Sequence, residues 1–448
     1  MQPSLALDAV VVGLGDSGLA AVRHLSARGY QLGVLDTRAK PPHADVLQTQ
    51  YPQVVSHFGN WDAEWLPSAR EVVLSPGVDP RHPVLQRYRD QGGRVIGEIE
   101  LFAQAVRAPV IAITGSNGKS TVTRMVAAMA AEAGVAAAAG GNLGPPALDL
   151  LRDSPQADCY VLELSSFQLE TTQSLKPWVA AVLNLTPDHL DRYAGMSDYA
   201  AAKARILNGA QHAVLNAADD WVSAMALPEQ PVSWFGDGPT ESSLTWQLSE
   251  RERATWLCHE QKPVMAAADL PVIGRHNALN ALAALAIGHA AGWPEAAMRT
   301  ALQQFEGLPH RGESLGVHAE RLWVNDSKAT NVAAAIAAVR GLDAPVVFIA
   351  GGQGKGQDFA PLAPVLAKTA RAAVLYGQDA HSLAQVLSNH IPVTVVDSLQ
   401  SASAEALAYS APGDVILLAP ACASLDQFAN YQARGECFRA LVAEVADA

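Results

Sequence analysis

The chain has 448 residues, 49% of them hydrophobic and 17% charged, which excludes an unfolded polypeptide and exceeds what one core of ordinary size holds. Its 31 Lys and Arg are outnumbered by 44 Asp and Glu, a formal charge of -13; this argues against nucleic acid as a bulk partner but leaves room for a phosphorylated small molecule in a local pocket. Cys159, Cys258, Cys422 and Cys437 form neither a metal-type pair nor a disulfide framework, as in a reducing cytoplasm.

The opening MQPSLALDAVVVGLG has no basic leader and no small-residue cleavage site. Alanine-rich runs such as 125–140 carry polar residues and are too short to span a bilayer, so a cytoplasmic protein without membrane insertion is expected. AVVVGLG (9–15) reads as a buried strand ending in glycine, with a helix over 19–27 stopped by Gly29. QLGVLD (31–36), EVVLSPG (71–77) and RVIGE (94–98) continue the alternation and predict a parallel sheet. Between the first strand and helix lies Gly13-Leu14-Gly15-Asp16-Ser17-Gly18, a G-x-G-x-x-G followed by Asp36 at the next strand end. Such glycines let a diphosphate approach the backbone while the acid holds a ribose, but a tight turn needing glycine for packing reads the same way.

A second block begins near residue 108. PVIAITGSNGKST (109–121) is a strand running into Gly115-Ser116-Asn117-Gly118-Lys119-Ser120-Thr121, with a helix behind it and Gly134 as its stop. Amide groups and the helix dipole would face phosphates, Lys119 would add a cation, and a hydroxyl would reach Mg2+. Ile113 stands where the full Walker pattern has glycine. CYVLELSS (159–166) places Glu163 at a strand end, suited either to a metal or to a helix N-terminus. VAAVLNLTPD (179–188) leads into Asp188, His189 and Asp191, read alike as metal ligands, substrate contacts or a polar loop. Lys203, in an alanine-rich helical run, reads from its surroundings alone as a solvated lysine. Residues 230–270 alternate like antiparallel ribbon, and 276–292 is a helix ending in glycine.

A third block follows GLPHR (307–311), with RLWVNDS, VVFIAGG, AAVLYG, VTVVD and DVILLAP each followed by a helical pattern. That outlines a doubly wound sheet with ligand sites at the carboxyl ends of its strands. His276-Asn277, His310-Arg311, 325–331, Gly351-Gly352-Gln353-Gly354-Lys355 and Ser424-Leu425-Asp426 are turns or caps taken singly, with Asp326 or Ser327 a reasonable helix N-cap. Together they put cations and small polar groups where an acidic second substrate would enter.

TGSNGKST, the HN of 276–277, the HR of 310–311 and NDSKATN resemble the ATP and hinge motifs of the Mur ligase family; LELSSFQLE, TPDHLDRY and PACASLDQF resemble its D-glutamate-adding branch. The resemblance covers the whole chain. It implies an α/β protein of three domains: a Rossmann-like domain for the UDP substrate (1–97), a P-loop mononucleotide-binding ATPase domain (98–308) and a doubly wound amino-acid-binding domain (309–448). It implies an ATP-dependent ligase, most simply a monomer, joining D-glutamate to UDP-N-acetylmuramoyl-L-alanine through an acyl phosphate. Asp16, Ser17, Gly18, Thr37, Arg38, Gly77, Asn142 and Gln168 would hold the UDP substrate, which turns the first glycine motif from a dinucleotide to a uridine diphosphate. Gly115, Asn117, Gly118, Lys119, Ser120, Thr121, Asn277, Arg311 and Asp326 would bind ATP. Thr121 and Glu163 would serve one Mg2+, and His189 with Lys203, the latter as a carbamate, a second. Asp188, Lys328, Thr330, Lys355, Ser424, Leu425 and Tyr431 would surround D-glutamate.

The chain departs from the family pattern twice. Gln353 replaces the acid of a GGDGK turn, and Tyr431 stands where phenylalanine is expected. Rival readings are a ligase of the same family adding another amino acid, a folate-polyglutamate ligase, a dehydrogenase that would leave Lys119 without purpose, and a nucleotide sensor that would not consume ATP.

Overall fold

The computed structural model describes residues 7–62, 65–189, 192–237, 245–252, 254–272, 274–342 and 344–446. Asp191 lies outside the described residues. The chain divides into two compact units, the first taking in residues up to 185, 189–246 and 283–298, the second 186–188, 247–282 and 299 onward.

The first unit holds two parallel sheets. β1 (Ala9–Val12), β2 (Leu32–Asp36), β3 (Val55–Phe58), β4 (Glu71–Leu74) and β5 (Arg94–Gly97) run in the order β3-β2-β1-β4-β5. β1 and β2 are buried throughout, and the helix Asp16–Ser26 adds Leu19, Val22 and Leu25 to the core; each such side chain contributes about 1.5–3 kcal/mol on leaving water. The next strands are β6 (Val110–Thr114), β7 (Ala137–Gly141), β8 (Cys159–Glu163), β9 (Val179–Val182), β10 (His212–Asn216) and β11 (Val232–Asp237), ordered β11-β10-β9-β6-β8-β7. β6 is central, so the loop after it opens at the point where the connections change direction, as ligand loops do in such sheets.

The second unit contains the ribbon of β12 (Trp246–Arg251), β13 (Ala254–His259) and β14 (Lys262–Ala266), of which β13 and β14 pair antiparallel. Its main sheet has β15 (Glu313–His318), β16 (Arg321–Asn325), β17 (Val346–Gly351), β18 (Ala370–Tyr376), β19 (Val393–Val395) and β20 (Val415–Leu418), in the order β15-β16-β20-β17-β18-β19. All neighbours are parallel except β15 and β16.

β3, β7, β10 and β15 escape the sequence reading. β7 is alanine and glycine only, without the β-branched pattern that marks a strand; Gly141 is needed there because a Cβ at φ 92° would come within 2.4 Å of the Glu163 carbonyl. The N-cap expected at Asp326 or Ser327 is instead Asn331, whose side chain accepts from the Ala334 amide at 2.8 Å. Among the described residues no helix is long and apolar enough to cross a membrane.

Candidate active site

At the carboxyl ends of β1 and β4 the glycine turn folds tightly on its neighbours. Ser75 donates to the Gly13 carbonyl at 2.7 Å, and a Cβ at Gly18 would strike that oxygen at 1.9 Å. Asp36 accepts from the Leu14 amide at 2.7 Å and is gripped by Arg38 at 2.9 and 2.6 Å. Burial raises this carboxyl, but Arg38 and the Leu14 amide outweigh burial and hold it below the usual carboxylate range. The acid that a dinucleotide reading assigns to a ribose is therefore engaged in bracing the turn. Asp16, paired with His43 at 2.8 Å, and Ser17 open the helix after β1, Thr37 and Arg38 follow β2, and Gly77 follows β4; of these all but Ser17 are exposed.

The second sheet carries the densest polar network. The helix Lys119–Glu132 starts from Gly118 at φ 84°, a residue with no side chain to cap it, so the positive end of the helix dipole faces the loop. Asn184 accepts from the Asn117 amide at 2.8 Å and returns a bond to the Asn117 carbonyl at 3.0 Å; Ser116 meets Tyr199 Oη at 3.1 Å. Lys119 Nζ curls over the loop to the carbonyls of Gly115 and Ser116, at 2.8 and 2.9 Å. Glu163, 2% exposed, takes the Ser120 hydroxyl at 2.5 Å and the Asn142 amide at 2.7 Å. Thr121 is buried beside Ser120.

Lys203 is not the solvated lysine its sequence context suggests. It is 2% exposed, and its Nζ donates to the Gly115 carbonyl at 2.9 Å and reaches Thr114 Oγ1 at 3.4 Å. The helix Met196–Ala204 turns this face beneath the phosphate loop, so Lys119 and Lys203 share one carbonyl oxygen. His189, at φ 55°, lies 4.8 Å from the Phe167 ring and 6.5 Å from Tyr199 between ring centroids, and Lys203 Nζ is 4.7 Å from the Tyr199 centroid. Gln168 closes a capping box with Ser165, its Oε1 taking the Ser165 amide at 2.9 Å.

These groups fit Mg2+. Among the described residues no three His, Cys, Asp or Glu gather as a metal cage, but a serine hydroxyl and a carboxylate meet at the mouth of an uncapped helix. A hard ion that takes one or two protein oxygens and completes its shell from phosphate and water suits that set.

In the second unit, Asn277 is buried, and Asp326 and Arg311 lie together at the end of β16. Burial pushes the Asp326 carboxyl up to about 6, although Arg311 and the Gly312 amide pull it down. His310, in the left-handed region at φ 62°, is held by Asn325 at 3.0 Å and Glu436 at 3.2 Å. The carboxyl ends of β16, β20 and β17 also carry the amino-acid set. Lys328 Nζ lies 4.0 Å from the Tyr431 ring centroid, Ser424 is buried, and the turns bearing Lys355 and Ser424 are joined by the Gln353–Ala423 bridge at 2.8 and 2.9 Å. Thr330 follows Lys328 closely, its amide donating to the Lys328 carbonyl at 2.7 Å. Leu425 is 60% exposed and adds no enclosure. Asp188 is half-buried on the loop after β9.

Sequence reasoning missed Asn184, Tyr199 and Arg434. Asn184 stands in LNLTPD, a polar residue at a strand end beside a phosphate loop, and so was findable. Tyr199 and Arg434 look like any ring or charge on an amphipathic helix.

Comparison with known proteins accords with this geometry. The family model "Mur ligase MurD-like, N-terminal domain" matches residues 7–97, "Mur ligase middle domain" 113–288 and "Mur ligase, glutamate ligase domain" 310–422. The chain is 47% identical over 447 residues to the UDP-N-acetylmuramoylalanine–D-glutamate ligase of Nitrosococcus oceani, covering 99% of this chain and 98% of that one. It is 46% identical over 441 residues to the protein of that name from Pseudomonas aeruginosa, covering 98% of each. Among solved structures it resembles UDP-N-acetylmuramate-alanine ligase MurC of Thermotoga maritima, with a TM-score of 0.60 and 19% identity over 98% of this chain and 100% of that one. A pseudomurein peptide ligase type C of Methanothermus fervidus gives a TM-score of 0.63 at 17% identity with the same coverage. At those identities the two structures speak for the fold alone.

Proposed function

The chain belongs to the Mur ligase family, and from that premise we propose that it joins D-glutamate to the free carboxylate of UDP-N-acetylmuramoyl-L-alanine. It is an ATP-dependent amide-bond-forming ligase of peptidoglycan precursor synthesis, working with ATP and Mg2+ as its family does. The observation that supports this best is the braced loop 115–119, with Lys119 folded over it and the Ser120–Glu163 pair at its mouth. A carboxylate must attack the γ-phosphate of ATP, so two anions are brought together, and charge has to be supplied where they meet. Mg2+, when bound, supplies part of that charge. In this reading Lys119 neutralises phosphate charge, the amides of Gly115, Asn117 and Gly118 cradle it, and Ser120, Thr121 and Glu163 hold the metal. Asn277, Arg311 and Asp326 serve the nucleotide; Asp16 to Gly18, Thr37, Arg38, Gly77, Asn142 and Gln168 serve the UDP substrate. Lys328, Thr330, Lys355, Ser424 and Tyr431, with Asp188 and Leu425, serve D-glutamate.

The finer reading has a second Mg2+ served by His189 and by Lys203 as a carbamate, which turns a buried cation into an oxygen ligand for a hard metal. It also takes the protein as a cytoplasmic monomer of three domains, 1–97, 98–308 and 309–448. Phosphate release in the presence of UDP-N-acetylmuramoyl-L-alanine, ATP and Mg2+ tests the function. It should depend on D-glutamate and not on L-alanine or a diamino acid. A better rate with either of those would replace D-glutamate by that amino acid.

A further inference from the structure

The helix Tyr431–Ala446 buries one guanidinium completely. Arg434 is 0% exposed, and each of its five N–H groups meets a neutral oxygen. Nε donates to Ser327 Oγ at 2.9 Å, one terminal nitrogen to the carbonyls of Ser327 and Cys422 at 2.8 and 3.1 Å, and the other to the carbonyls of Cys422 and Gly351 at 3.2 and 3.4 Å. Ser327, Cys422 and Gly351 lie at or just beyond the carboxyl ends of β16, β20 and β17, three adjacent strands. A side chain that served packing alone would not need charge here, because a buried cation without a carboxylate partner is expensive and an apolar residue of equal volume is the cheaper solution. The planar fork does what an apolar side chain or an ammonium cannot: it fixes three strand ends at once and leaves a positive charge beneath them.

We propose that Arg434 is the positioning residue of the amino-acid site. It ties together the three strand-end segments that carry Lys328, Lys355 and Ser424, and its charge biases that corner toward a substrate with two carboxylates. The same helical turn adds Gly435, against which the His310 ring packs so closely that a Cβ would sit 2.3 Å from its Nδ1. The inference rests on the assignment of those three segments to the amino-acid substrate.

Two variants of the full-length protein test it. In Arg434→Lys, an ammonium has three donors for four acceptor oxygens. In Ser327→Ala, only the Nε acceptor is removed, along with the Ser327 hydroxyl's own bond to the Tyr431 carbonyl at 2.8 Å. The KM for D-glutamate should rise tenfold or more in Arg434→Lys and a few-fold in Ser327→Ala. The KM for ATP should stay within twofold in both, and the thermal transition of Ser327→Ala should stay near that of the parent. Hydrogen exchange of the ligand-free protein should show faster exchange at 327–330, 351–356 and 421–425 in Arg434→Lys, with β17 and β20 themselves still protected. Equal changes in both KM values, or an unchanged KM for D-glutamate in both variants, would overturn the proposal. So would exchange that rises evenly through the sheet, which would make Arg434 a general stabiliser. If the parent protein uses another amino acid, the functional reading falls instead; the exchange pattern and the KM for that amino acid still decide the role of Arg434.

Discussion

Two turns in this molecule are spelled almost alike. Gly115-Ser116-Asn117-Gly118-Lys119 follows β6, and Gly351-Gly352-Gln353-Gly354-Lys355 begins at the last residue of β17. In the first, Gly118 takes the left-handed conformation and a helix of 14 residues starts at the lysine, which folds back over its own loop. In the second, the lysine itself is left-handed, at φ 53°, and exposed; the chain runs on as a loop to a single 3-10 turn, Ala360–Leu362, ahead of the helix Ala363–Thr369. Gly354 donates to Asp379 at 2.7 Å, and Gln353 is tied to Ala423. A glycine-lysine string becomes a phosphate cradle only when a helix begins at the lysine, because only then do successive amides and the helix dipole converge on one anion. Without the helix the lysine is a mobile point charge, which suits a single carboxylate.

The contrast breaks most cleanly on the two lysines. Lys119→Ala should keep the thermal transition but lose turnover by about two or more powers of ten, since one electrostatic stabiliser is typically worth ~3–4 kcal/mol. Lys355→Ala should instead raise the KM for D-glutamate about tenfold, ~1.4 kcal/mol, with the KM for ATP little changed. Steady-state kinetics with each substrate varied separates the two outcomes. If both variants weakened ATP and D-glutamate alike, the turns would share one job and the distinction between them would be false.

The braces of the two turns sharpen the same point at smaller scale. Asn184→Ala removes both side-chain bonds to Asn117 and should raise the KM for ATP three- to tenfold, about 1 kcal/mol for the net loss. Asp379→Ala removes the bond to the Gly354 amide and should act only on D-glutamate, by less. An effect of Asn184→Ala confined to D-glutamate would contradict the bracing role.

What could be read beforehand follows the same division. The phosphate loop was legible because a contiguous string dictates its backbone, and the doubly wound third block because five apolar strands each precede a helical pattern. β7 was not, since alanine and glycine carry no strand signal and its place is set by β8 and the close approach at Gly141. Lys203 misled for a different reason: a lysine in a run of alanines looks solvated, and only the packing of its helix under the loop makes it buried. Arg434 lies more than a hundred residues from Ser327 in the chain; no local pattern marks a side chain whose partners are strand ends brought together by the sheet.

A last difference between the two regions is electrostatic and shows in unfolding rather than turnover. Glu163 accepts two strong bonds, whereas burial pushes Asp326 up to about 6 despite Arg311 and the Gly312 amide. The folded state then holds the Asp326 proton more tightly than the unfolded chain does, so its contribution to stability is complete below the ordinary carboxyl value of 3.8. That contribution is lost as pH rises through about 6, and the balance is flat above it. The full shift would correspond to roughly 3 kcal/mol; the residue keeps some solvent access, and screening there reduces this to about 1 kcal/mol. Asp326→Asn cannot titrate. Its stability relative to the parent should therefore improve between pH 4.5 and 7.5 by about that amount, while the lost partner of Arg311 adds an offset that does not depend on pH. Urea midpoints of both proteins at the two pH values measure the slope. A difference that stays level between the two pH values would mean that Arg311 holds the Asp326 carboxylate ionised throughout.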